Sequence, residues 1–163
     1  MTIIGVDTSL RSTGFAVITQ EGSRPVALEY GNIHNARTLP LSACLSKIFD
    51  KISELIEKYS PDAVSVESVI YAKNAGTMLL LGQARGAVIT AAARAGINVF
   101  EYEPRRMKRA VCGNAMAEKD QICHMVKVLF SLNEVPQNDA ADALGLALCH
   151  LNSRSSVLKE EPI

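Results

Sequence analysis

No uninterrupted apolar run in the 163 residues is long enough to span a bilayer. No basic region precedes the first apolar stretch, and Asp7 ends that stretch early, which argues against a secretory signal. The four cysteines, Cys44, Cys112, Cys123 and Cys149, contain no C-x-x-C pair. A zinc site or disulfide framework therefore gives way to buried, reduced thiols in a cytoplasmic protein. Net charge is also missing: 17 Lys and Arg balance 17 Asp and Glu. That balance excludes indiscriminate coating of nucleic acid, although it permits a basic face opposite an acidic one. There is no internal repeat and no linker. With 48% apolar and 21% charged residues, the chain has the composition of one folded domain with a real core. We assign that domain to residues 1–152 and expect a flexible, polar tail over 153–163.

Three strands are expected in quick succession: Thr2 to Asp7, Gly14 to Thr19 after the polar turn Ser9-Leu10-Arg11-Ser12, and Val26 to Ile33 with a bulge at Gly31. Their short links predict an antiparallel meander. Pro40 starts a helix whose apolar stripe runs Leu41, Leu45, Ile48, Ile52, Leu55 and Tyr59. A short strand, Ala63 to Glu67, precedes a long helix from Asn74 to Ala95. Gly82 and Gly86 inside that helix each cost about 1 kcal/mol relative to Ala, so another element should approach there, either the chain's own sheet or a second subunit. A fifth strand over Asn98 to Glu101 is followed by a helix opened by Pro104 and by helices over Glu118 to Phe130 and Asp139 to Leu151. The order β-β-β-α-β-α-β-α-α-α predicts an α/β fold with a mixed five-stranded sheet and helices on both faces.

Four acids stand at informative places in this order. Asp7 and Glu67 follow buried strands, while Asp139 and Asp142 lie three apart on one face of the last helix, among alanines. Alone, the helix pair reads as acids favoured by the helix dipole, and Asp7 and Glu67 as turn and loop residues. Together they form a candidate hard-cation site. Clustered carboxylates repel one another and tend to retain a proton, a penalty that a divalent metal removes. That chemistry points to metal-assisted phosphoryl transfer.

Longer motifs carry a resemblance. Ile4-Gly5-Val6-Asp7 with Thr13-Gly14 resembles the first strand and turn of the RNase H-like superfamily. Val66-Glu67-Ser68-Val69-Ile70-Tyr71-Ala72-Lys73-Asn74, Gly82-Gln83-Ala84-Arg85-Gly86, Ala117-Glu118-Lys119 with His124-Met125-Val126, and Asp139-Ala140-Ala141-Asp142-Ala143-Leu144 resemble successive motifs of the RuvC Holliday-junction resolvases. The resemblance runs from Ile3 to about Leu151. It implies an RNase H-like fold and a homodimer that nicks two opposed strands of a four-way DNA junction, leaving 5′-phosphate and 3′-hydroxyl ends. It also implies Asp7, Glu67, Asp139 and Asp142 as catalytic metal ligands for two Mg²⁺ or Mn²⁺ ions, a choice that suits oxygen ligands. Asp7 would bridge the ions, Glu67 and Asp142 would complete the two sites, and Asp139 would be a ligand or orient the water. A branch-migration complex is the further partner that the family implies.

Basic residues concentrate at Arg105, Arg106, Lys108 and Arg109, either as a solvated turn or as phosphate contacts. Lys108 and Lys119 align with basic residues flanking the family's active site, where Lys119 would stabilise charge developing on the phosphate. The DNA-binding set implied by the resemblance is Ile70, Tyr71, Lys73, Asn74, Arg85, Arg105, Lys108 and Lys119, with Arg85 serving either the DNA or the dimer. Thr8-Ser9 stand where the family often has Pro-Gly, and their hydroxyls are expected to hold the turn. Ile70 replaces an aromatic junction wedge, so either Ile70 or Tyr71 takes that place. His124 is read as a structural histidine; His34 and His150 join no constellation. Two alternatives keep the fold: a nuclease for RNA or another branched DNA, and a junction-binding protein that does not cut.

Overall fold

The computed structural model describes residues 1–68, 74–153 and 161–163. Five strands, β1 (Thr2–Asp7), β2 (Ser12–Glu21), β3 (Arg24–His34), β4 (Ala63–Glu67) and β5 (Val99–Tyr102), combine with five helices: α1 (Leu41–Tyr59), α2 (Ala75–Arg94), α3 (Pro104–Cys112), α4 (Lys119–Leu129) and α5 (Asn138–Ser153). The sheet order is β3-β2-β1-β4-β5. The first three strands form the expected antiparallel meander, while β1, β4 and β5 run parallel. The sheet is therefore mixed.

Side-chain alternation assigns the two faces. Ile4, Val6, Phe15, Val17, Val64, Val66 and Val99 pack with α1 and α2. Ile3, Ala16, Ile18 and Tyr102 pack with α3, α4 and α5. Every residue of α5 from Leu144 to His150 is buried, as are Ala140, Ala141 and Ala143. A helix enclosed on all sides can lie this close to a sheet because its residues, and those beneath it, are small. A Cβ built on Gly5 would overlap the Ala143 carbonyl oxygen, and one on Gly14 the Asp139 carbonyl oxygen.

Several expectations are corrected. The bulge lies between Val17 and Ile18, opposite Glu29 and Ala27, so Leu28 is the extra residue. Gly31 keeps regular register with Phe15, and a Cβ there would come within 3.3 Å of the Phe15 ring. On α1 the buried line is Cys44, Ile48, Ile52, Leu55 and Ile56, with Leu41 37% exposed. The helix is rolled so that Cys44, not Leu41, faces the core. Nothing within the described chain approaches Gly82 or Gly86, and Leu79 on the same helix is 65% exposed. Asn74 caps α2 by accepting from the backbone N–H groups of Gly76 and Thr77. Beyond α5, Ile163 donates its backbone N–H to the Val99 oxygen at 2.9 Å. Among the described residues, no helix is long and apolar enough to cross a membrane. Cys44 and Cys123 are buried free thiols, Cys112 is a half-buried one, and Cys149 is buried.

Candidate active site

The faces of the sheet determine where the strand-end acids point. Val6 and Val66 are register partners and both turn toward α1 and α2. The next residues, Asp7 and Glu67, therefore turn to the opposite face, beneath α5. Asp7 pairs in register with Gly14 of β2, and the Asp139 backbone lies directly on Gly14. Thus the missing Cβ at Gly14 sets the first turn of α5 beside Asp7, and helical spacing brings Asp142 to the same side as Asp139.

Electrostatics report the crowding. Asp7 is pushed up to about 7 by burial and by the charges of Asp142, Glu67 and Asp139, against the opposing influence of Lys119. Asp142 is raised to about 6 by burial and by Asp139, with Lys119 and Lys108 opposing. Burial and Asp142 raise Glu67, and the same two lysines oppose the rise. All four acids and both predicted lysines thus belong to one electrostatic neighbourhood. Their side chains do not close into a ready ion cage: among the described residues no three His, Cys, Asp or Glu are arranged to hold a metal ion. Like charges repel, and Asp139 is drawn aside. Its Oδ2 accepts from the Ser12 hydroxyl at 2.5 Å and from Asn32 Nδ2 at 3.0 Å.

The basic residues divide. Lys119 is the exposed first residue of α4, after a capping box in which the Glu118 and Gln121 side chains each accept from the other's backbone N–H. Lys108 donates to the Ala117 carbonyl at 2.7 Å, which ties α3 to the start of α4 near the acids. Arg105 and Arg109 are exposed, whereas Arg106 lies over the Tyr102 ring, 5.1 Å from its centroid. Arg85, expected to serve either the DNA or the dimer, is already engaged within the chain. It is 8% exposed, its guanidinium is paired with Glu101, and it donates to the Glu67 carbonyl at 2.8 Å. It braces α2 against the end of β4. Asn74 is exposed, and its Oδ1 caps α2. Ile70, Tyr71 and Lys73 lie outside the described residues.

The turn after Asp7 is held differently than expected. Thr13, fully buried, donates its hydroxyl to the Ser9 carbonyl, so a hydroxyl at the end of the turn helps to hold it. His124 is exposed on α4 rather than packed inside. His150, by contrast, is buried, with Nδ1 2.7 Å from the Tyr102 hydroxyl. Sequence reasoning missed Ser12 and Asn32. The one available signal was alternation: both fall on the α5 face, as register partners of His34 and Gly14.

A family model described as crossover junction endodeoxyribonuclease RuvC matches residues 3–150. The chain is 45% identical over 153 residues to the crossover junction endodeoxyribonuclease RuvC of Geotalea uraniireducens (strain Rf4), covering 94% of this chain and 90% of that relative. It is 44% identical over 161 residues to the protein of the same name from Geobacter sp. (strain M21), covering 98% of each. The solved structure of T. thermophilus RuvC in complex with Holliday junction substrate is similar at a TM-score of 0.92 and 28% identity, over 100% of this chain and 99% of that one.

Proposed function

Because the chain belongs to the RuvC family of crossover junction endodeoxyribonucleases, we propose that it resolves four-way DNA junctions by paired, symmetric nicks, leaving 5′-phosphate and 3′-hydroxyl ends. The observation that carries this reading is the meeting of β1, β4 and α5: three elements distant in sequence deliver Asp7, Glu67, Asp139 and Asp142 to one edge of the fold.

Family membership implies dependence on a divalent metal. The donor set fits one, being carboxylate oxygens throughout, with Asp7, Glu67 and Asp142 raised by burial and mutual repulsion. In our proposal these three and Asp139 hold two Mg²⁺, with Mn²⁺ as a substitute. When bound, the metal supplies a nucleophile at neutral pH and neutralises charge on the leaving oxygen. The chain's own residues do the rest. Lys119 and Lys108, already close enough to oppose the rise in Asp142 and Glu67, offset phosphate charge as a strand enters. Exposed Arg105 extends that positive surface outward along α3.

Two opposed nicks require two active sites. The exposed Leu79 and Leu80 of α2, with open space over Gly82 and Gly86, offer a surface for a second copy of the chain. The proposal therefore includes a homodimer joined through α2. Ile70 or Tyr71 serves as the junction wedge, and a branch-migration complex works on the same DNA. The free thiols of Cys44, Cys112 and Cys123 suit a reducing compartment, and we place the enzyme in the cytoplasm.

Asp7→Asn tests this reading. The variant should fold and bind a mobile four-way junction with wild-type affinity yet lose Mg²⁺-dependent nicking. Full cleavage by Asp7→Asn would remove the carboxylate cluster from the mechanism.

A further inference from the structure

Ser12 and Asn32 are the polar side chains of the site that its carboxylate chemistry leaves unexplained. They sit on different strands, β2 and β3, and neither carries charge. Asn32 Nδ2 is 3.1 Å from Ser12 Oγ and 3.0 Å from Asp139 Oδ2, and Ser12 Oγ is 2.5 Å from the same oxygen. The amide nitrogen has two N–H groups and no acceptor, and the carboxylate accepts only. Asn32 therefore donates toward Ser12 and Asp139 together, its two acceptors lying too close to each other for a separate hydrogen each, and Ser12 passes its own hydrogen on to Asp139. The result is a closed three-membered ring of hydrogen bonds with both donors on a single carboxylate oxygen. All three members are half-buried, so the bonds are shielded from competing water.

This places Asp139 apart from Asp142, its neighbour one helical turn away. Among the described residues no such tether holds Asp142, whose environment is burial and surrounding charge. A carboxylate with one oxygen pinned by two donors has lost its torsional freedom and its capacity to bind a cation through both oxygens.

We propose that Ser12 and Asn32 are positioning residues that restrict Asp139 to one-oxygen ligation, presenting Oδ1 to a divalent cation. The inference rests on the metal-site reading above. Partners of this kind, which orient a ligand without touching the metal, typically alter cation affinity by about 10–100-fold when removed.

The test is direct Mn²⁺ binding to DNA-free protein, followed by spin resonance of the unbound ion, for wild type, Ser12→Ala, Asn32→Ala, the double variant, Ser12→Thr and Asp7→Asn. The double variant should bind Mn²⁺ about 10-fold more weakly or worse. Its nicking should recover when Mn²⁺ is raised in proportion, with junction affinity unchanged. Ser12→Thr keeps the hydroxyl and should restore binding to near the wild-type value. If the double variant does not fold, the two single variants carry the same criterion at a smaller change. Wild-type Mn²⁺ affinity in folded Ser12→Ala and Asn32→Ala would overturn the tether while leaving the carboxylate site standing. Wild-type Mn²⁺ affinity in Asp7→Asn would instead overturn the metal-site reading itself, so the two failures are separable.

Discussion

Glycines lie on both faces of the sheet, beneath α5 and within α2, and they mean opposite things. On the α5 face, Gly5 and Gly14 lie beneath a helix backbone that leaves no room for a Cβ. On the other face, Gly82 and Gly86 of α2 open onto space, beside leucines exposed to solvent. A glycine in a regular element weakens it, so its presence calls for a close neighbour. In the first case the neighbour is the chain's own α5, and the contact builds the acid cluster. In the second the described chain provides no neighbour, which is why the proposed dimer is assigned to α2. Small residues at an interface do not distinguish folding from assembly; the location of the opposing backbone does.

The sharpest way to break this contrast is to fill the α5 contacts. Gly14→Ala would force its Cβ into the Asp139 carbonyl, where rigid backbone on both sides must give way. We expect a loss of about 3 kcal/mol or more in urea denaturation, together with loss of nicking because α5 carries Asp139 and Asp142. Near-wild-type stability would show that α5 is seated less tightly than its contacts imply.

The next effect comes from charge. The folded-state values of Asp7 and Asp142, about 7 and about 6, lie above the ordinary carboxylate value of 3.8. Between those limits the folded chain binds more protons than the unfolded chain, so metal-free stability should fall as pH rises from about 4 to about 7. A loss of several kcal/mol is expected, at about 1.4 kcal/mol per pH unit for each acid, measured by thermal unfolding with chelator present. Asp7→Asn should flatten the decline, as should added Mg²⁺. A stability that rises over this range would contradict the crowded-acid picture.

The smallest effect, and the one that sharpens the comparison, is Gly82→Ala. Relieved of glycine's backbone entropy, α2 should gain about 0.5–1 kcal/mol in the monomer. Self-association, followed by sedimentation equilibrium, should weaken because the added methyl group occupies the space left for the second copy. Unchanged association would move the dimer surface away from this part of α2.

Much of the fold was legible because its signals are local. Short apolar runs marked β1 and β4, Pro40 and Pro104 marked helix starts, and all ten elements appear in the expected order. The misreadings share a cause. The roll of α1, which buries Cys44 in place of Leu41, and the bulge at Leu28 in place of Gly31, are decided by what packs against those segments. The pairing of Arg85 with Glu101 of β5 is likewise decided by a segment distant in the chain. His124, read as a structural histidine, is exposed, and His150, which joined no constellation, is buried, for the same reason: a histidine on a helix is buried or exposed according to the partner of that face, and the partner lies elsewhere in the chain.

The amino-acid order alone determined which residues are able to act: acids directly after two apolar strands, a second acidic pair at helical spacing, and glycines where a backbone has to pass. Those are properties of windows a few residues wide, governed by alternation, helical period and backbone freedom. Tertiary structure decided how they meet. Asp139 takes its partners from residues 127 and 107 positions away, and the seating of α5 on Gly5 and Gly14 brings two helix acids to two strand acids. Contacts at that separation depend on strand order and the close packing of small residues, which no local pattern specifies.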